Sequence, residues 1–331
     1  MGRMFFLIFL MVFTVGGSSV RAETEIRFST AAPEKTPWAI YAHQIAESVK
    51  KDTSGTIKVQ VFSGSQLGNE QDVIRQVARG RIHMGSFSNT AASLMVPEIA
   101  LLAAPYIWDS LEQADCALDN HLFSIFQNKF EEKGLIILGW TEVGNRGYAF
   151  TSPVNGLADL AGKKMRVAPT KASSLTADGF GANAVVLPIT EVASALQTGL
   201  VEGADLPGLV YTALGFSKIA PNWIASNHSH QVGMVLMSQK VWKRLSDEQQ
   251  SAFLKARQSP VKLRQMVRGA EKSSLAKFSE NGGRVIELNA DQMANWRRTA
   301  KAARDSLIED LGGDAKPIYA QIEEAKRACT N

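Results

Sequence analysis

Cysteine is scarce. Cys116 and Cys329 are the only two in 331 residues, too few and too far apart to form a metal site. In an oxidising compartment they can form one disulfide tying the C-terminus back to the first half of the chain, and the sequence leaves that pairing open. No G-x-S-x-G is present, and neither cysteine sits in a recognisable catalytic context. H-E-x-x-H, G-x-G-x-x-G and G-x-x-x-x-G-K-[ST] are missing too, so no zinc helix and no phosphate-cradling loop is visible. The carboxylates are scattered, and no pair is marked as acid and base. The nearest approach to a metal site is His228-Ser229-His230, whose two imidazoles share one face of a strand, but no third ligand is apparent. Polar packing or an interlobe hydrogen bond is the stronger reading of that pair. These absences shift weight from catalysis to binding, with no cofactor and no metal expected.

Apolar runs long enough to cross a bilayer are also lacking. The one long run, Met4 to Val15, covers 12 residues, where spanning needs about 20. Arg3 precedes it, small residues follow, and Ala22 stands where cleavage would fall, which makes residues 1–22 a secretory signal peptide. No cysteine near its end can receive a lipid, so the expectation is an exported, soluble protein. Its removal takes Arg3 and Arg21 and no acid, so the 36 basic residues fall to 34 against 32 acidic ones. With both signs interspersed and no basic arm or tail, nucleic acid is not an expected partner.

What is present reads as α/β. The remaining 309 residues suffice for two lobes, because single cores stop growing near roughly 250 to 300 residues. Strand-like runs at Ile26–Ser29, Ile57–Phe62, Leu135–Trp140, Met165–Val167 and Val232–Met237 alternate with helical patterns. Asn69, Glu70, the apolar Val73, Ile74 and Val77, and Gly80 spell a capped helix. RIHMGSFSNT after it reads as a strand entering a polar loop, and EVASALQTGLVEG as a helix. Ser246 and Gln249 form a capping box opening a long helical stretch that Pro260 should kink or divide. In such folds ligands bind outside the carboxyl ends of strands.

LAGKKMRVAP places Met165 and Val167 on one strand face and Lys164 and Arg166 on the other. On pattern alone this is a basic, solvated face. The alternative is that Arg166 aims a guanidinium into a cleft to hold a carboxylate through two parallel hydrogen bonds.

Several segments in order resemble the solute-binding subunit of tripartite ATP-independent periplasmic (TRAP) transporters. SGTIKVQVFSGSQLGNEQDVIRQVARGRIHMG, APYIW, GNRGYAF, DLAGKKMRVAP and EVASALQTGLVEGADLP are similar to that family's motifs, and the likeness runs from about residue 26 to 290. The resemblance implies a two-lobed periplasmic binding protein fold with a hinge and a long helix spanning both lobes. Lobe I would comprise residues 23–143 plus 232–270, and lobe II residues 144–231 plus 271–331. It implies capture of a small organic acid between the lobes and delivery to membrane permease subunits, by a monomer that is not an enzyme. A sensor module for a membrane receptor and an exported enzyme acting on an organic acid are the rival readings.

The same resemblance makes Arg166 the carboxylate-binding arginine and Arg146 a second ligand-facing one. Glu70, Phe87, Ser88 and Asn89 would border the cleft from the first lobe, Trp38 would wall it, and Asp205 and Leu206 would face it from EGADLP. Many relatives read D-G-Q-E-N-P there, so Leu206 replaces an amide. A polar ligand arm facing leucine would go unpaired at a cost of about 1 to 3 kcal/mol, which disfavours sugar acids and sialic acid. Monocarboxylates, 2-oxo acids, aromatic acids and small dicarboxylates are favoured instead.

Overall fold

On the first strand, Ile26 and Phe28 alternate inward, as do Ile57 and Val59 on the second, and the two strands pair in parallel over one buried face. The computed structural model describes residues 23–257 and 260–330, so the signal peptide expected at 1–22 lies outside the described residues. Among the described residues nine strands form one mixed sheet: β1 (Thr24–Thr30), β2 (Ile57–Phe62), β3 (Met84–Ser88), β4 (Leu135–Phe150), β5 (Lys164–Val167), β6 (Asn183–Val186), β7 (Gly203–Pro207), β8 (Asn222–Ser238) and β9 (Arg284–Glu287). The order is β2-β1-β3-β8-β4-β7-β5-β6, with β9 also on β8.

The long strands β4 and β8 run antiparallel through the middle and belong to both halves. Gly233 to Met237 of β8 pair with β3, whereas Asn222 to Ala225 pair with β9. Arg146 to Phe150 of β4 pair with β7. The β4/β8 register shifts between Glu142 and Gly144 and again between Arg146 and Tyr148, so the strand is bent where it passes from one half to the other. Gly144 has φ +123°, and a Cβ there would lie 2.5 Å from Glu271 Oε2, so a side chain would be strained and would displace the Glu271 carboxylate.

Helices cover the sheet as α/β packing requires. The helix Glu70–Arg79 begins at Asn69, whose side chain accepts from Asp72 N, and stops at left-handed Gly80, with Val73, Ile74 and Val77 buried. The Ser246/Gln249 capping box forms, and its helix ends at Ala256. A new helix, Pro260–Glu280, starts with the proline at its first turn, so Pro260 divides the stretch. This long helix packs on the first helix, Pro37–Asp52, and on Gly208–Ala213 of the other half, so it spans both.

Three local readings differ from expectation. The segment after β3 is no loop: Ser88 caps a buried helical turn, Asn89–Ala92. Of EVASALQTGLVEG only Val192–Gln197 is α-helical, because the chain turns at left-handed Gly199 and enters β7, all five of whose residues are buried. The last helix, Ala315–Ala328, puts Ile318, Ile322 and Ala325 into one core with Leu118, Phe126 and Phe130 of the first half, although the expected division places 271–331 in the second lobe. Cys116 and Cys329 are joined, with Cα atoms 5.8 Å apart across a sequence separation of 213 residues.

Candidate functional site

The parallel strands of each half point their carboxyl ends at the same crevice. Thr30 at the end of β1, Phe87 and Ser88 at the end of β3, Arg166 near the end of β5 and Leu206 and Pro207 at the end of β7 line one cleft. It offers about 110 Å³ of space that a water molecule's centre can reach.

Arg146 enters from the bent part of β4. It donates from Nε to Asp205 Oδ1 at 2.6 Å, from Nη2 to the Asp205 carbonyl at 3.1 Å and from Nη1 to Gln231 Oε1 at 3.0 Å. Gln231 Nε2 in turn donates to Thr90 Oγ1 at 2.9 Å, linking the arginine to the first half. Burial opposes ionisation of Asp205, but Arg146 and His228 outweigh it and hold the carboxyl well below the usual range. His228 Nε2 lies 3.4 Å from Asp205 Oδ1, and its ring stacks on Tyr148. His230 Nε2 lies 3.3 Å from Glu142 Oε2, itself bound by Arg268. Both histidines are thus packed beside carboxylates.

Arg166 is equally buried, with 3% of its surface exposed. Its Nε donates to Leu187 O and its Nη1 to Asp205 O, both at 3.0 Å. Among the described residues no carboxylate accepts from it. Burial, and after it the Arg146 guanidinium, push its pKa down to about 9, which still leaves it charged at neutral pH. Two guanidinium charges therefore meet one carboxylate, and an anion placed against Arg166 would restore the balance.

A profile described as bacterial extracellular solute-binding protein, family 7, matches residues 28–310. The chain belongs to that family. It is 26% identical to a solute-binding protein of Verminephrobacter eiseniae over 93% of this chain and 87% of the relative. It is 23% identical to the C4-dicarboxylate-binding periplasmic protein DctP of Rhodobacter capsulatus, over 87% of this chain and 88% of the relative. Among solved structures, a sugar acid binding protein from Advenella mimigardefordensis in complex with galactonate superposes with a TM-score of 0.88 at 25% identity, covering 93% of this chain and 99% of that one. A TRAP periplasmic solute-binding protein from Xanthobacter autotrophicus Py2 with bound β-D-galacturonate gives 0.84 at 25% identity, covering 91% and 99%. The two-lobed α/β fold and a substrate-binding role follow.

In this family 7 chain, Arg146, Arg166, Glu70, Trp38, Phe87, Ser88 and Leu206 meet in the cleft. Asn89 and Asp205, expected there, do not line it. They border a small polar cavity of about 10 Å³ behind Arg146. The Asp205 carboxylate is turned onto Arg146. Glu70 spends both oxygens on Ser88, accepting from its N at 2.9 Å and its Oγ at 2.8 Å. Burial raises the Glu70 pKa, and those two bonds oppose the rise. Trp38 donates from Nε1 to the Glu142 carbonyl and shows the cleft its ring.

Sequence reasoning missed Gln231, Thr90 and the second-half wall of Ile189 and Val210. For Gln231 a signal existed: the alternation that puts His228 and His230 on one strand face puts Gln231 on the other.

Proposed function

We propose that this solute-binding protein captures a small organic acid through its carboxylate and hands it to a TRAP-type membrane permease. The observation that carries the reading is Arg166, a buried guanidinium at the cleft with no carboxylate partner among the described residues. Arg166 clamps the ligand carboxylate, and Arg146, fixed by Asp205, adds charge and orientation. Ser88, Glu70, Phe87, Trp38 and Leu206 shape the remaining wall. The DctP relative and the sugar-acid and galacturonate complexes support a carboxylate as the common chemical group.

The two lobes, 23–143 with 232–270 and 144–231 with 271–331, close about the β4 and β8 crossings, the final helix docking across onto the first lobe. A ligand touching both lobes shifts the population toward the closed form by its differential affinity. The protein works in the periplasm after loss of residues 1–22, as a single chain and without turnover. The test is a thermal-shift screen of refolded protein against carboxylic acids and neutral sugars. Saturation at a hundred times Kd adds about 2.7 kcal/mol, a rise of a few degrees in Tm. A shift with acids that vanishes in Arg166→Ala supports the clamp, and a shift with neutral sugars alone overturns it.

A further inference from the structure

The polar groups of the cleft are largely paired with one another. Glu70 accepts twice from Ser88, three of the five N–H groups of Arg146 are committed to Asp205 and Gln231, and Gln231 donates to Thr90. Thr30 Oγ1 accepts from Ala32 N. Arg166 commits two of its five N–H groups, so Nη2 and the second hydrogen of Nη1 have no protein acceptor among the described residues and form a two-pronged donor. Ser86, Thr141 and Gln71 are the small polar remainder of the lining. The rest of the wall is apolar on both sides: Trp38, Phe87 and Val143 face Ile189, Leu206 and Val210.

From this we propose that the ligand is a monocarboxylic acid with an apolar body, aryl or branched alkyl, carrying at most one further polar substituent. The inference rests on the carboxylate-binding reading above and names the substrate class. A carboxylate takes the free face of Arg166, and the body fills the apolar remainder. A polyhydroxylated acid would turn some of its hydroxyls onto the apolar wall of Ile189, Leu206 and Val210, where no partner meets them. Each hydroxyl left unpaired on burial weakens binding by about tenfold or more. A second carboxylate meets the same shortage, because Arg146 is already neutralised by Asp205.

The test is titration calorimetry on the chain from residue 23 to 331, unfolded and refolded to strip carried-over ligand. The probes are phenylacetate, 4-methylpentanoate, galactonate, glucuronate, succinate and the neutral phenylacetamide. Phenylacetate or 4-methylpentanoate should bind at least tenfold tighter than galactonate, glucuronate and succinate, with phenylacetamide silent. Leu206→Asn should narrow that ratio about tenfold. Because Leu206 is fully buried, Val210→Ser at a half-buried position of the same wall serves as the second variant. A hydroxylated or dibasic acid binding tighter than both apolar acids overturns the substrate class and leaves the carboxylate reading standing. Phenylacetamide binding as well as phenylacetate, or no acid binding at all, overturns both.

Discussion

The carbonyl of Asp205 accepts from Arg166 Nη1 at 3.0 Å, while the carboxylate of the same residue is held by Arg146 Nε at 2.6 Å. One residue therefore orients both guanidinium groups and neutralises only one.

Arg166→Ala is expected to weaken carboxylate binding by a hundredfold or more, because a charge-assisted bidentate pair in a buried site has no substitute. Its Tm in the absence of ligand should hold or rise, since a buried charge without a counterion is removed. Calorimetric titration beside a thermal melt checks both, and a variant that retains affinity returns Arg166 to a structural role.

Asp205→Ala should be costly to the fold itself. It strips the counterion from a buried arginine, a loss of about 3 to 5 kcal/mol in denaturant unfolding. The Asp205 pKa is depressed in the folded state, so its contribution is fully present above the unfolded carboxylate pKa and fades only as pH falls toward the folded value. The mutational cost should therefore be as large at pH 8 as at pH 6.

Glu271 gives the opposite sign. Burial raises its pKa from 4.5 to about 7; Glu142 adds to the rise, and the Leu209 N–H opposes it. The folded state holds a proton that the unfolded chain has released, so stability falls as pH climbs through the window from about 4.5 to 7. Glu271→Gln should flatten that part of the profile. Melting curves at pH 5, 6, 7 and 8 decide it, and parallel profiles for the two proteins would exclude the effect.

Reducing the Cys116–Cys329 disulfide releases a loop of 213 residues. On the chain-entropy account this costs on the order of 5 kcal/mol. A Cys116→Ser/Cys329→Ser pair should melt well below the parent and keep its ligand affinity, since neither cysteine lines the cleft among the described residues.

What could be read in the sequence was local. The cap at Asn69, the stop at Gly80 and the break at Pro260 each depend on a few adjacent residues, and all stand where expected. The alternation around Arg166 correctly separated exposed Lys164 from buried Met165 and Val167, but only the family resemblance turned Arg166 inward. Gln231, Thr90 and the Ile189/Val210 wall come from segments far apart in the chain, and their meeting depends on the crossing of β4 and β8. The orientation of Asp205 depends on which buried charge it must neutralise, and no spacing rule encodes that.

The order in which the chain is made matters for the first half. Its sheet lacks the segment Gly233 to Met237 between β3 and β4 until more than two thirds of the chain has been synthesised, and its core lacks Ile318, Ile322 and Ala325 until almost the whole chain has. An N-terminal fragment leaves Leu118, Phe126 and Phe130 without their cover. Completion of the first half's core is thereby postponed until the last helix has been made.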